Sequence, residues 1–107
     1  MAGERLHRIA TPWGIWLPAL VPIAGVVYAV QDRAIRGKRT FAIVETDKQL
    51  ITVDVAKHKS LDALLQTWHH EIGHVIRAEY SLRVSHDDID RIGQGMTQAF
   101  MAFVEAQ

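Results

Sequence analysis

Apolar residues recur at helical spacing in two segments of the second half of the chain. Ser60 suits a helix N-cap, and the apolar positions after it form one stripe roughly 120° wide at about 100° per residue. These positions are Leu61, Leu64, Leu65, Trp68, Ile72, Val75 and Ile76. Ser85 suits a second N-cap, followed by Ile89, Ile92, Met96, Ala99, Phe100 and Phe103. The pattern predicts two amphipathic helices, in the second of which Gly93 and Gly95 permit a close approach to the first.

The first half of the chain has strand-like patterns instead. Leu50 to Val55 alternates between apolar and polar residues, Phe41 to Glu45 is rich in strand-forming residues, and the polar tract 46–49 between them suits a hairpin loop. Residues 13–30 are almost continuously apolar, but prolines and glycines interrupt them. We therefore predict two short buried strands there, Ile15–Leu20 and Gly25–Val30, with Pro22 in their connection, and no membrane span. Residues 1–12 are predicted to be a flexible tail, and 13–107 one α+β domain.

Composition narrows the functional classes. Twelve basic and twelve acidic residues leave no net charge, which argues against a nucleic-acid binder. There is no cysteine, so a zinc site would have to use histidine and carboxylate ligands. The absence of cysteine also fits a cytoplasmic protein.

The first predicted helix carries the sequence His70-Glu71-Ile72-Gly73-His74, an H-E-x-x-H pattern. Histidines four residues apart project side by side, so that both imidazoles can reach one metal ion. Both lie outside the apolar stripe, since His70 is about 180° from Leu61 on the helical wheel. Glu71 lies beside them and can take a proton from a metal-bound water. The pattern predicts a Zn²⁺ site with His70 and His74 as ligands and Glu71 as the catalytic base.

A catalytic zinc usually has a third protein ligand. Glu79 is on the wrong side of the first helix, about 180° from His70. The start of the second helix is the better source, and it offers His86 or Asp88. His86 is the more usual ligand type and Asp88 is slightly better placed on the wheel, so both remain candidates. Helix capping is the alternative role for Asp88.

The order of a strand hairpin (TFAIVETDKQLITVDV), a helix with HHEIGH and a closing helix (SHDDIDRIGQGMTQAF) resembles the zincin superfamily of metallopeptidases in its smallest form. It is similar to compact zincin-like proteins of bacteriophage and prophage genomes and to the core of the ImmA/IrrE and SprT-like families. The resemblance covers about residues 40–103. It implies a small zincin-like fold, in which a short antiparallel or mixed sheet packs on the H-E-x-x-H helix and a C-terminal helix. It also implies that a residue of that last helix completes the zinc site.

The function expected from these observations is hydrolysis of peptide bonds in a peptide or protein substrate by a zinc metalloprotease. Tyr80 or His69 would be available as an extra hydrogen-bond donor to the oxyanion. The main alternative is a zinc-binding phage structural or regulatory protein that cleaves nothing. Further alternatives are an α+β domain in which the H-E-x-x-H pattern is accidental, and a protein anchored to a membrane by residues 13–30.

Overall fold

Six strands and two long helices make up residues 8–107, the part of the chain that this computed structural model describes. In chain order the elements are β1 (Arg8–Ala10), β2 (Trp16–Pro18), β3 (Leu20–Ile23), β4 (Val26–Asp32), β5 (Ala42–Glu45), β6 (Leu50–Val53), a 3-10 turn (Val55–Lys57), α1 (Leu61–Glu79) and α2 (His86–Glu105). The predicted α+β class is confirmed, and both helices begin directly after their predicted N-caps.

The main sheet is mixed and has the strand order β3-β4-β6-β5. The predicted hairpin is present: β5 pairs antiparallel with β6, and Ile43 lies opposite Thr52. Strand β6 also pairs in parallel with β4, so it occupies the interior of the sheet. β5 is left at one edge and β3 at the other.

The apolar segment 13–30 was expected to form two strands, but it contains β2, β3 and most of β4. Pro22 lies within β3 opposite Val27, and the tight turn before β4 is instead at Ala24 and Gly25, both with positive φ. The Val30 N–H donates to the Ala19 carbonyl, so Ala19 directs its backbone groups toward β4. Because the direction of the backbone groups alternates from residue to residue along β3, the nitrogen of Pro22 points away from β4. A proline is tolerated there because an edge strand needs no donor on its outer side.

The predicted flexible tail, residues 1–12, contains one of the strands. Arg8–Ala10 pairs antiparallel with β2, placing Ile9 opposite Leu17. The tail prediction is therefore wrong for these three residues, and residues 1–7 lie outside the described part of the chain. Within residues 8–107, no helix is both long enough and apolar enough to cross a membrane.

Helix α1 packs its apolar stripe against the sheet. Leu64 and Val75 are fully buried in the core together with residues from β2, β4 and β6, and Trp68 and Ile72 pack against the same cluster. The strand contributors are Leu17, Tyr28, Val30, Ile51 and Val53. This contact fixes the rotation of α1 about its axis and leaves the His70 side of the helix facing away from the core.

Helix α2 packs closely along α1 at two glycines. A Cβ on Gly93 would lie 3.3 Å from the backbone nitrogen of His70, and a Cβ on Gly73 would lie 2.9 Å from Cγ2 of Ile89. The close approach expected of the α2 glycines is thus confirmed for Gly93. It is not confirmed for Gly95, whose Cβ would have no neighbour within 4 Å.

Candidate metal centre

Three histidines converge where the two helices meet. His70 and His74 project from α1, and His86 is the first residue of α2. Their ring centroids are 4.6 Å (70–74), 4.8 Å (70–86) and 5.1 Å (74–86) apart. Each ring offers one nitrogen, and these nitrogens all lie within 4.8 Å of one another. The structure therefore brings both motif histidines together with one of the two candidates for the third ligand.

Asp88, the other candidate, has a different role. Its backbone N–H donates to the Ser85 hydroxyl, and its carboxylate accepts from the Ser85 backbone N–H at 3.3 Å. These two bonds form a capping box at the start of α2. The carboxylate also lies 3.6 Å from Arg91, so capping and a surface ion pair account for Asp88.

Glu79 is remote from the cluster, as its position on the wheel predicted. The Tyr28 hydroxyl donates to its carboxylate at 2.6 Å. Burial, and to a smaller extent this bond to Glu79, raises the pKa of Tyr28 to about 12. Glu79 thus ties the end of α1 to strand β4.

Asp90 belongs to the cluster but was not predicted. Its carboxylate lies 2.6 Å from Nδ1 of His70 and 3.9 Å from Nε2 of His86. With the carboxylate as acceptor, Nδ1 of His70 carries the proton and Nε2 has a free lone pair. Nε2 of His70 lies 2.9 Å from Nε2 of His74, so it faces the centre of the cluster. The four-residue spacing of His86 and Asp90 is the sequence signal that places them on one face of α2.

Arg77 adds a positive charge beside His74. One guanidinium nitrogen lies 2.9 Å from Nδ1 of His74, and another donates to the Val84 carbonyl at 3.3 Å. The pKa of His74 is lowered to about 4, and burial is the largest cause. Charge repulsion from His70, Arg77 and His86 lowers this pKa further. Asp90 has the opposite effect, which is smaller. His74 is therefore uncharged at neutral pH, as a metal ligand must be.

Glu71 lines two cavities that also share Ala42 and His70. One, of about 320 Å³, is also lined by Phe41, Ala42 and Asp90. The other, of about 520 Å³, is also lined by Val44, Arg77 and the three histidines. Burial raises the pKa of the Glu71 carboxyl to about 7, so it can exchange a proton near neutral pH.

The donor set fits zinc. Three imidazole ligands with an open fourth position form one of the known catalytic arrangements. Bonds of about 2.1 Å in tetrahedral geometry place the ligand nitrogens about 3.4 Å apart. The cluster has separations from 2.9 Å up to 4.8 Å, so small side-chain rotations would reach this distance. Arg77 can only donate to Nδ1 of His74, which leaves the ring proton on Nε2, so zinc at Nε2 would also require Arg77 to release Nδ1 and the proton to leave Nε2.

Neither expected oxyanion donor lies in these cavities. Nδ1 of His69 donates to the Thr97 hydroxyl at 2.8 Å, and that hydroxyl donates to the Gly93 carbonyl. His69 therefore joins α1 to α2. Tyr80 lines an apolar groove with Trp68, on the side of α1 that faces β3.

Comparison with known proteins identifies no relative, because no family model, curated protein or solved structure matches this chain.

Proposed function

We propose that the protein is a zinc-dependent metallopeptidase whose metal is held by His70, His74 and His86. One observation carries this proposal: three imidazoles lie together beside a half-buried carboxylate, Glu71, in a cavity that reaches the free edge of a strand. When bound there, zinc would polarise the substrate carbonyl and acidify a water molecule.

Glu71 has the position and the proton affinity of a general base. Glu71 follows His70 in the chain and lines both cavities. Within the described residues, no basic side chain forms a hydrogen bond with its carboxyl group. With a pKa near 7 it takes a proton from the attacking water and returns it to the leaving amine nitrogen. Arg77 lines the same cavity, and its guanidinium, once released from Nδ1 of His74, would be available to stabilise negative charge on the carbonyl oxygen.

The substrate would lie along β5. The Phe41 carbonyl accepts from the Asp54 N–H, so Phe41 directs its backbone groups toward the β6 side. Because these directions alternate, Ala42 and Val44 direct their N–H and C=O groups away from β6, toward the open edge. Both residues line cavities that contain Glu71. An extended peptide bound by main-chain hydrogen bonds at this edge would pass the histidines, with little dependence on its side chains.

The experiment compares Glu71→Gln with Glu79→Gln, two identical changes on one helix. Purified wild type and both variants are loaded with zinc and incubated with an unfolded protein substrate, and new amino termini are counted. We expect wild type and Glu79→Gln to cleave the substrate. Glu71→Gln should keep its zinc and lose at least about 100-fold in rate.

A zinc-binding module without peptidase activity is the second candidate. The small size of the domain favours it, because β5 is the only strand that lines the two cavities at the described histidine cluster. Wild type that binds one zinc and cleaves nothing would support this candidate and contradict the peptidase. Cleavage that persists in Glu71→Gln would remove Glu71 from the mechanism.

A further inference from the structure

Helix α2 has a second apolar face beside the one that packs on α1. Its inner face contains Ile89, Gly93 and Thr97, all buried. Phe100 lies between Ile89 and Gly93 on the helical wheel, and its ring packs edge-on against His69 of α1 with 6.3 Å between the centroids. On the outer side, the large apolar side chains are exposed by 53% at Ile92, 44% at Met96 and 65% at Phe103, and Gly95, Ala99 and Ala102 are also exposed. At 100° per residue these six positions fall in one stripe about 120° wide.

Gly95 indicates how this stripe is used. A glycine inside a helix is unfavourable relative to alanine, so it usually has a packing reason. Gly93 has such a reason within the chain, because its Cβ would crowd His70. Gly95 has none among residues 8–107, since a Cβ there would meet none of their atoms within 4 Å. A glycine here is explained by the close approach of a group other than these residues.

The stripe is complementary to itself when a second copy runs antiparallel. Pairing Met96 with Ala99 across a two-fold axis also places Ile92 opposite Phe103, because each pair of numbers has the same sum. Met96 then faces a small residue, and Gly95 lies beside Ala102 of the copy at one edge of the seam, where the two backbones can approach closely. The spacing of positions 92, 96, 99 and 103 is the four-three-four pattern of a seam between two helices. Two-fold pairing uses one surface twice and is the commonest form of self-association.

We propose that the outer face of α2 is a homodimer interface in which two α2 helices pack antiparallel. The charges of the helix favour this direction. Asp87, Asp88 and Asp90 lie in its first turns, and antiparallel packing places Asp88 of the two copies about 28 Å apart along the axis. Parallel packing would bring these acidic turns together. A lipid surface is a poorer match, because Arg91 is the only arginine or lysine in α2.

Sedimentation velocity over a series of protein concentrations tests for the dimer. Wild type should show a monomer–dimer equilibrium. Met96→Glu would bury a charge in the seam and should weaken association at least about tenfold. Gln94→Glu carries the same new charge on the polar side of α2 and should associate like wild type. Wild type that stays monomeric at its highest soluble concentration would overturn the proposal. Monomeric wild type that co-sediments with phosphatidylcholine vesicles would overturn it in favour of a lipid surface.

Cross-linking tests the direction of the helices, since the chain has no cysteine of its own. With helix axes about 9 Å apart, antiparallel packing separates the two copies of residue 99 by about 10 Å and those of residue 102 by about 16 Å. A short bismaleimide should therefore link Ala99→Cys far more efficiently than Ala102→Cys. Equal linking of both variants would refute the antiparallel arrangement. Neither measurement depends on zinc or on peptidase activity, so this proposal can fail independently of the proposed function.

Discussion

Replacing Gly93 by alanine should separate the two helices that carry the proposed metal ligands. The added Cβ would lie 3.3 Å from the backbone nitrogen of His70 and 3.6 Å from its Cα. Backbone atoms of a packed helix cannot rotate away, so α2 must move by a few tenths of an ångström. Overpacking of this kind costs about 1–3 kcal/mol, and the better helix propensity of alanine returns about 1 kcal/mol. We expect a net loss of about 0–2 kcal/mol in the free energy of unfolding.

Gly95→Ala is the matched control, because it makes the same change two residues away. A Cβ there meets no atom of the described residues within 4 Å, so the variant should gain about 1 kcal/mol. Urea unfolding of dilute, monomeric protein without zinc measures both changes. Competition with a chromophoric chelator then measures zinc affinity, which should fall in Gly93→Ala and stay unchanged in Gly95→Ala. The reasoning is refuted if the two variants shift stability in the same direction, or if Gly93→Ala binds zinc as tightly as wild type.

Three further predictions concern the carboxyl groups of Glu71, Asp90 and Glu79. Burial raises the pKa of Glu71 from 4.5 to about 7, so the folded protein binds this proton more tightly than the unfolded chain, and the associated stability is lost as the pH rises from 4.5 through 7. Urea unfolding in the presence of chelator should therefore give Glu71→Gln and wild type the same free energy of unfolding at about pH 5. At pH 8 the free energy of unfolding of Glu71→Gln should be higher by about 1–3 kcal/mol, after allowance for the partial exposure of Glu71. An equal difference at both pH values would contradict this. Asp90→Asn should reduce zinc affinity about 10–100-fold. The reason is that the amide can donate to Nδ1 of His70 and then no longer selects the tautomer that frees Nε2. Competition with a chelator measures the zinc affinity, and an unchanged affinity would refute the role of Asp90. Tyr28→Phe should destabilise the fold by about 1–2 kcal/mol in thermal unfolding, since Glu79 loses its donor, and zinc binding should not change.

Local sequence signals predicted the helices and the hairpin well. Ser60 caps α1 by accepting a bond from the Ala63 N–H, and the apolar stripe after it is the face that packs on the sheet. These features depend on residues close together in the chain, where spacing determines the geometry. The hairpin β5–β6 was predicted for the same reason.

The third ligand could not be chosen from the wheel of α2 alone. The choice depends on how α2 is rotated against α1, and the long-range contact between Gly93 and His70 fixes that rotation. One local signal was available: the Ser85-x-x-Asp88 spacing of a capping box already gave Asp88 another role. Asp90 was missed because an acidic residue on an amphipathic helix reads as surface charge until its partner on the other helix is known.

The apolar segment 13–30 was divided incorrectly for a different reason. Proline was taken as the end of a strand, but Pro22 is compatible with β3 because β3 is an edge strand. Whether a strand lies at an edge follows from the order β3-β4-β6-β5 of the whole sheet. Sequence alone does not contain that order, and it did not indicate the pairing of Arg8–Ala10 with β2 either.

Zinc stoichiometry is the most direct test of the metal centre. Wild type, His86→Ala and Asp88→Ala are purified, equilibrated with zinc, passed through a desalting column and measured by elemental analysis. The three-histidine arrangement predicts one zinc per chain in wild type and in Asp88→Ala, and a large loss of zinc in His86→Ala. Wild type that retains no zinc, or a loss in Asp88→Ala with none in His86→Ala, would contradict it.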